Sequence, residues 1–214
     1  MFDFNMAGWV QKIALITPGF LLAITVHELC HGLMAFRLGD PTARMAGRLT
    51  LNPFKHLDVM GTIVLVLTQM IGWAKPVPVD PRYFRNPRQG MALVAVAGPL
   101  ANFITAAILA RLHLLVVAGL SGEPSELAVS ILLPLTGIIE AGVLINLVLG
   151  CFNLLPIPPL DGSNIVALFL PLRTAMQYMS FGRFGFIVII LLAVTGMLGQ
   201  ILWPMIRFMA TILL

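Results

Sequence analysis

The chain has 214 residues, of which 59% are hydrophobic and only 10% charged, with a formal net charge of +4. Soluble domains carry about 25% charged residues, so a water-soluble globular protein is excluded and the bilayer must be the solvent, as the mean hydropathy of +0.97 also requires. The basic balance does not mark a nucleic-acid binder, because Lys and Arg flank apolar runs, where the positive-inside rule puts them.

A helix that crosses the hydrocarbon core needs about 20 mostly apolar residues. Four runs qualify, from about Ile13 to Leu38, Gln89 to Val117, Leu127 to Leu155 and Phe184 to Ile206. The first lacks a basic start and a small-residue cleavage site, so it reads as a retained helix and not a signal peptide. Two shorter runs, Val59 to Ala74 and Ser163 to Leu172, have the length of re-entrant or interfacial segments. Basic residues lie on both sides of Val59–Ala74: Arg37, Arg44, Arg48 and Lys55 before it, Lys75, Arg82, Arg85 and Arg88 after it. A segment that dips in and returns keeps both clusters cytoplasmic. Glu123 and Glu126 then fall outside, with both termini. A fifth full span is the alternative.

Between these runs, Arg48-Leu49-Thr50-Leu51 alternates like a short strand. Trp73 to Pro87 is Pro-rich, and Pro76 and Pro78 prevent regular helix, so an extended loop beside the site is expected. The expected architecture is an all-α polytopic membrane protein. It has about four full transmembrane helices, a re-entrant segment and short β or loop elements around an intramembrane metal site. Residues 1–214 form a single domain. Cys30 and Cys151 both sit in apolar runs and suggest neither a disulfide framework nor a CxxC site.

The first apolar run carries the chemistry, in His27-Glu28-Leu-Cys-His31. Positions i and i+4 share a helix face, so His27 and His31 can hold one metal from one side. Glu28 can reach a water on that metal, the zincin arrangement of two ligands and a general base. Ionised side chains cost about 2.5–3.5 kcal/mol each at mid-bilayer, and metal coordination supplies the partner they need. A catalytic zinc takes three protein ligands and keeps one position open. Asp161 is the candidate third ligand, placed just after prolines 156, 158 and 159 break the third run. Its alternative role is to cap the helix that follows.

Three motifs, His27-Glu28-Leu-Cys-His31, Ala97-Gly98-Pro99-Leu-Ala-Asn102 and Asn153-Leu-Leu-Pro156 through Asp161-Gly162, stand in the order in which the site-2 protease family of intramembrane metalloproteases carries them. The chain resembles that family from about Ala23 to Val166. Gly72-Trp-Ala-Lys-Pro-Val-Pro-Val-Asp80-Pro81 is similar to a tract of its short members, and no stretch is available for a PDZ or CBS domain. The resemblance implies one zinc ion per chain on His27, His31 and Asp161, with Glu28 as general base. Asn102 and Asn153 would bind the substrate backbone or the developing oxyanion, or else bond between helices. The implied activity is cleavage of peptide bonds in or near transmembrane segments of membrane proteins. The chain is expected in a bacterial or archaeal cell membrane, and the positive-inside argument puts the site nearer the cytoplasm. A non-proteolytic membrane metal-binding protein or a transporter is the rival; neither needs a carboxylate base beside its ligands. Of the remaining polar residues, Glu140 is expected to pair with Arg111 or face a wet vestibule. His56 and Asp58 are expected in solvated or interfacial positions, and His113 near the outer interface.

Overall fold

A computed structural model describes residues 6–68, 72–121 and 125–213. Three long helices dominate: α1 (Met6–Arg37), α4 (Pro87–Gly119) and α5 (Glu126–Asn153). Shorter helices fill the intervals: α2 (Thr42–Met45), α3 (Val59–Thr68), α6 (Asp161–Phe169), α7 (Leu172–Ser180), α8 (Gly182–Val194) and α9 (Met197–Leu213). The long helices start where local chemistry says they should. Asn86 accepts a hydrogen bond from the Gln89 N–H with Pro87 in the first turn, and Ser125 accepts from the Ala128 N–H. Both side chains satisfy donors that a helix start leaves unpaired.

α1, α4 and α5 are each long and apolar enough to cross a membrane. On α4, Leu100, Ile104, Ile108 and Leu115 recur at helical spacing and are 52–71% exposed. Such a stripe is stable only against lipid, and the chain is an integral, multi-pass membrane protein. Cross-contacts fix the helix directions. Gly19 lies against Gly142 and Leu15 against Gly137, so α1 and α5 run parallel. His31 bonds Val94, while Ala23, earlier on α1, bonds Asn102, later on α4, so these two run antiparallel. A second apolar layer, built on Leu147, Cys151, Leu155, Ile189, Leu202 and Ile206, packs α8 and α9 on α5.

Three expectations are corrected. The run Phe184–Ile206 is not one helix. Thr195 caps α8 and Gly196 takes φ +76°, a left-handed conformation that stops the helix before α9 begins. α8 instead joins α7 through a 57° bend, and only that pair reaches spanning length together. Arg48–Leu51 forms bends and no strand. The Arg48 N–H donates to Ala43 O, and its guanidinium crosses to Pro76 O and Lys75 O, so the groups a ladder would use are committed elsewhere. Among the described residues the one β feature is a bridge between Leu57 and Ala74. His56, expected in a wet position, is fully buried; its Nε2 bonds Thr50 O and its carbonyl accepts from Lys75 N–H. Asp58 caps α3 by accepting from the Gly61 N–H. Glu123 and residues 69–71 of the expected re-entrant run lie outside the described residues.

Candidate metal centre and cleft

His27 and His31 project from one face of α1 and are almost fully buried. Asp161, the first residue of α6, reaches them from the far side of the proline turn. Its Oδ2 lies 3.2 Å from each imidazole Nε2, and the two Nε2 atoms are 3.0 Å apart. Leu160 occupies the cap position of α6 and Asp161 makes no capping bond, so the alternative role of this carboxylate falls away.

The far sides of the rings decide what the near sides can do. Asn102 Nδ2 donates to Ala23 O at 3.0 Å and to Asn146 Oδ1 at 2.9 Å. Its Oδ1 is therefore the acceptor 2.6 Å from His27 Nδ1, which must carry the proton. Val94 O, 2.7 Å from His31 Nδ1, can only accept. In the neutral rings both Nε2 atoms then offer lone pairs, as metal-binding histidines do when their other nitrogen donates. Three acceptor atoms converge on one point. A proton could serve one of their contacts, whereas a cation at the focus satisfies all three. Tetrahedral bonds of about 2.0–2.1 Å hold ligand atoms roughly 3.3 Å apart, close to the observed spacing, so the donor set fits zinc.

Of the two roles expected for Asn102, the structure displays the bond between helices: the residue is fully buried and its amide is spent on His27, α1 and α5. Asn146 was not singled out in the sequence. It is fully buried on α5, bonds Asn102 and is itself held by Gly142 O. Gly98 is the close-approach residue. A Cβ there would fall 2.4 Å from His31 Nε2 and 2.8 Å from His27 Cε1, so α4 can back the rings only without a side chain.

The focus opens into a cleft of about 760 Å³ lined by His27, Glu28, His31, Asn153 and Asp161, with apolar walls from α4, α8 and residues 73–79. Glu28 is tied to that covering segment, its Oε2 accepting from the Val77 N–H at 2.8 Å. Arg48 holds the same segment through Lys75 O and Pro76 O, and buried Asp40 accepts from the Asp80 N–H at 2.7 Å. Arg82 hydrogen-bonds the Asp80 side chain and keeps that carboxyl below the usual carboxylate range. Trp73 and Phe186 meet edge-to-face at 5.9 Å where the segment reaches α8. Asn153 donates to Leu149 O and lines the cleft. Outside the cleft, Glu140 pairs with His113 at 2.9 Å and not with Arg111.

Fold and site together define a multi-pass membrane protein whose HExxH helix meets a distant aspartate at one cation-sized focus. The sequence profile of peptidase family M50 matches residues 125–195. "Putative zinc metalloprotease YwhC" of Bacillus subtilis (strain 168) is 42% identical over 187 residues, covering 87% of this chain and 83% of the relative. "Putative zinc metalloprotease Rip2" of Mycolicibacterium smegmatis is 27% identical over 197 residues, with 90% of this chain and 71% of the relative covered. Its namesake in Mycobacterium tuberculosis (strain Erdman) is 30% identical over 166 residues, covering 72% and 57%. No solved structure matches. The chain belongs to peptidase family M50, the site-2 protease family. It is a zinc metalloprotease of the membrane, with zinc as its cofactor.

Proposed function

We propose that the chain is an intramembrane endopeptidase that hydrolyses peptide bonds in or near transmembrane segments of other membrane proteins. The observation that carries this reading is the position of the cleft. It opens at Glu28 and the three-residue focus, between helices whose outer faces carry exposed apolar side chains, and its walls are apolar. Residues 1–214 act as one domain. α1, α4, α5 and the bent α7–α8 pair are the four spans, α3 dips in and returns, and the site lies nearer the cytoplasmic face of the cell membrane.

His27, His31 and Asp161 would hold the zinc. Bound there, it supplies Lewis acidity, polarising the scissile carbonyl and acidifying a water towards a pKa of about 7. Glu28 takes the proton from the attacking water and passes it to the leaving amine. Its bond from Val77 fixes the carboxylate's orientation and leaves Oε1 for that transfer. Asn153 is the better substrate-binding candidate of the two asparagines, since it lines the cleft and, among the described residues, only its Nδ2 is engaged, by Leu149 O. A helical substrate hides its carbonyls in its own hydrogen bonds and must unwind to be cut. The extended segment around Val77–Val79, whose Val79 N–H has no partner among the described residues, can receive the unwound stretch by backbone pairing.

The test is cleavage of a single-span substrate by purified protein in detergent, with zinc content measured in parallel. Wild type should cut inside the span, and Glu28→Gln should keep about one zinc per chain while losing cleavage. Wild-type rates in Glu28→Gln would defeat the assignment of the base. Cuts confined to soluble substrates would defeat the intramembrane reading.

A further inference from the structure

Away from the metal centre, α4, α5 and α9 enclose a second cavity of about 430 Å³. Apolar side chains such as Leu114 and Leu144 wall it, yet it also gathers Arg111, His113, Glu140 and Arg207. Glu140 is the one carboxylate in its lining, and its Oε1 stands 2.9 Å from His113 Nε2 in a close contact that lacks hydrogen-bond geometry. Among the described residues neither Arg111 nor Arg207 has an ion-pair partner. Two guanidiniums against one carboxylate leave the cavity with an excess of positive charge.

Depth in the membrane narrows the counterion. At 1.5 Å per residue Arg111 lies roughly 35 Å further along α4 than Arg88. The hydrocarbon core is about 30 Å thick, so the cluster sits at the headgroup level of the face opposite Arg88. We propose that this cavity binds the phosphodiester of an anionic phospholipid, with Arg111 and Arg207 on the phosphate oxygens. Guanidinium is the side chain best shaped for bidentate contact with phosphate. A phosphodiester with an uncharged headgroup brings negative charge to the guanidiniums and no further positive charge. A zwitterionic lipid would add a cationic group to a cavity that already carries an excess of positive charge. Free inorganic phosphate would leave the apolar walls without a purpose. Leu114 and Leu144, 56% and 46% exposed, give the acyl chains a path out of the cavity. Trp203, at its rim, is the aromatic type that gathers at membrane interfaces.

The experiment is thermal unfolding of the purified full chain in uncharged detergent. It is titrated with phosphatidylglycerol, with phosphatidylcholine of the same acyl chains, and with inorganic phosphate. Phosphatidylglycerol alone should raise the midpoint, saturably and by several degrees, as a ligand of the folded state must. The double substitution Arg111→Gln/Arg207→Gln should abolish the rise, and Glu140→Gln, which keeps both guanidiniums, should retain it. An equal rise with phosphatidylcholine or inorganic phosphate, no rise with any of the three, or a rise that survives the double substitution would overturn the assignment. Should the double variant not fold, native mass spectrometry of the two single variants decides. Each is expected to retain phosphatidylglycerol at least tenfold less than wild type, and unchanged retention would overturn the proposal. None of these readouts depends on proteolysis.

Discussion

Gly98→Ala tests the whole construction of the metal centre with one methyl group. The added carbon would stand 2.4 Å from His31 Nε2, 2.5 Å from His31 Cε1 and 2.8 Å from His27 Cε1. Comfortable contacts between such atoms are about 3.5–4.0 Å, so roughly 1 Å must be recovered. α4 can retreat from α1, or the rings can turn. Turning them breaks the Nδ1 bonds to Asn102 and Val94 and scatters the three donor atoms. Comparable losses of ligand support cost about 10–100-fold in metal affinity, and a displacement of about 1 Å costs about 100-fold in rate. Overpacking itself destabilises by about 1–3 kcal/mol. The assay is zinc competition against a chromogenic chelator, with cleavage rate and thermal midpoint on the same preparations. Gly119→Ala on the same helix is the control, because its Cβ would find nothing nearer than Leu132 at 3.4 Å. Wild-type zinc affinity and cleavage in Gly98→Ala would refute the placement of the rings against α4.

Other substitutions probe the supports around that centre. Asn102→Leu removes the acceptor of His27 Nδ1 and orphans the Ala23 and Asn146 groups; zinc affinity should fall about 10–100-fold and stability by about 1–3 kcal/mol, read by chelator competition and unfolding. Asn146→Leu should move in the same direction by less, since His27 keeps its own partner; an effect larger than that of Asn102→Leu would contradict the order of the chain. Arg88 Nη2 donates to the carbonyls of Ala167, Leu168 and Leu170 at the end of α6, so Arg88→Gln should loosen the helix that presents Asp161. Faster proteolytic nicking after Leu170, with weaker zinc retention, is the expected readout. Removing zinc with a chelator leaves three acceptors facing one another, so the unfolding midpoint should drop and recover when zinc is returned.

The residues proposed as ligands and base were legible because ionisable residues in apolar runs are costly and stand out. His27, Glu28, His31 and Asp161 each violate the local pattern. Their supports were not legible for a definite reason. Val94 and Val77 act through backbone atoms, which leave no mark in a sequence. Asn146 is a single amide in an apolar helix, and such a residue looks the same whether it braces a site or joins two spans. The break at Gly196 was hidden for the opposite reason: hydropathy averages over one glycine, while backbone geometry does not. The alternation at Arg48–Leu51 suggested a strand, but Arg48 is recruited to hold residues 75 and 76, and that tertiary demand overrides a four-residue period.

The amide of Asn102 touches the Ala23 carbonyl, the His27 ring and Asn146, and so ties three long helices at one buried knot. About one turn away the backbones of Gly19 and Gly142 lie flush. No helix of the three can slide past another without leaving dry amides unpaired. This half of the molecule is an anvil, the more tightly bonded side of the site. The room a substrate needs must come from the other side, where residues 72–80 hang on Arg48, Asp40 and Glu28 and meet α8 through one aromatic edge. Variation that retunes which proteins are admitted has freedom there, while the anvil tolerates almost none.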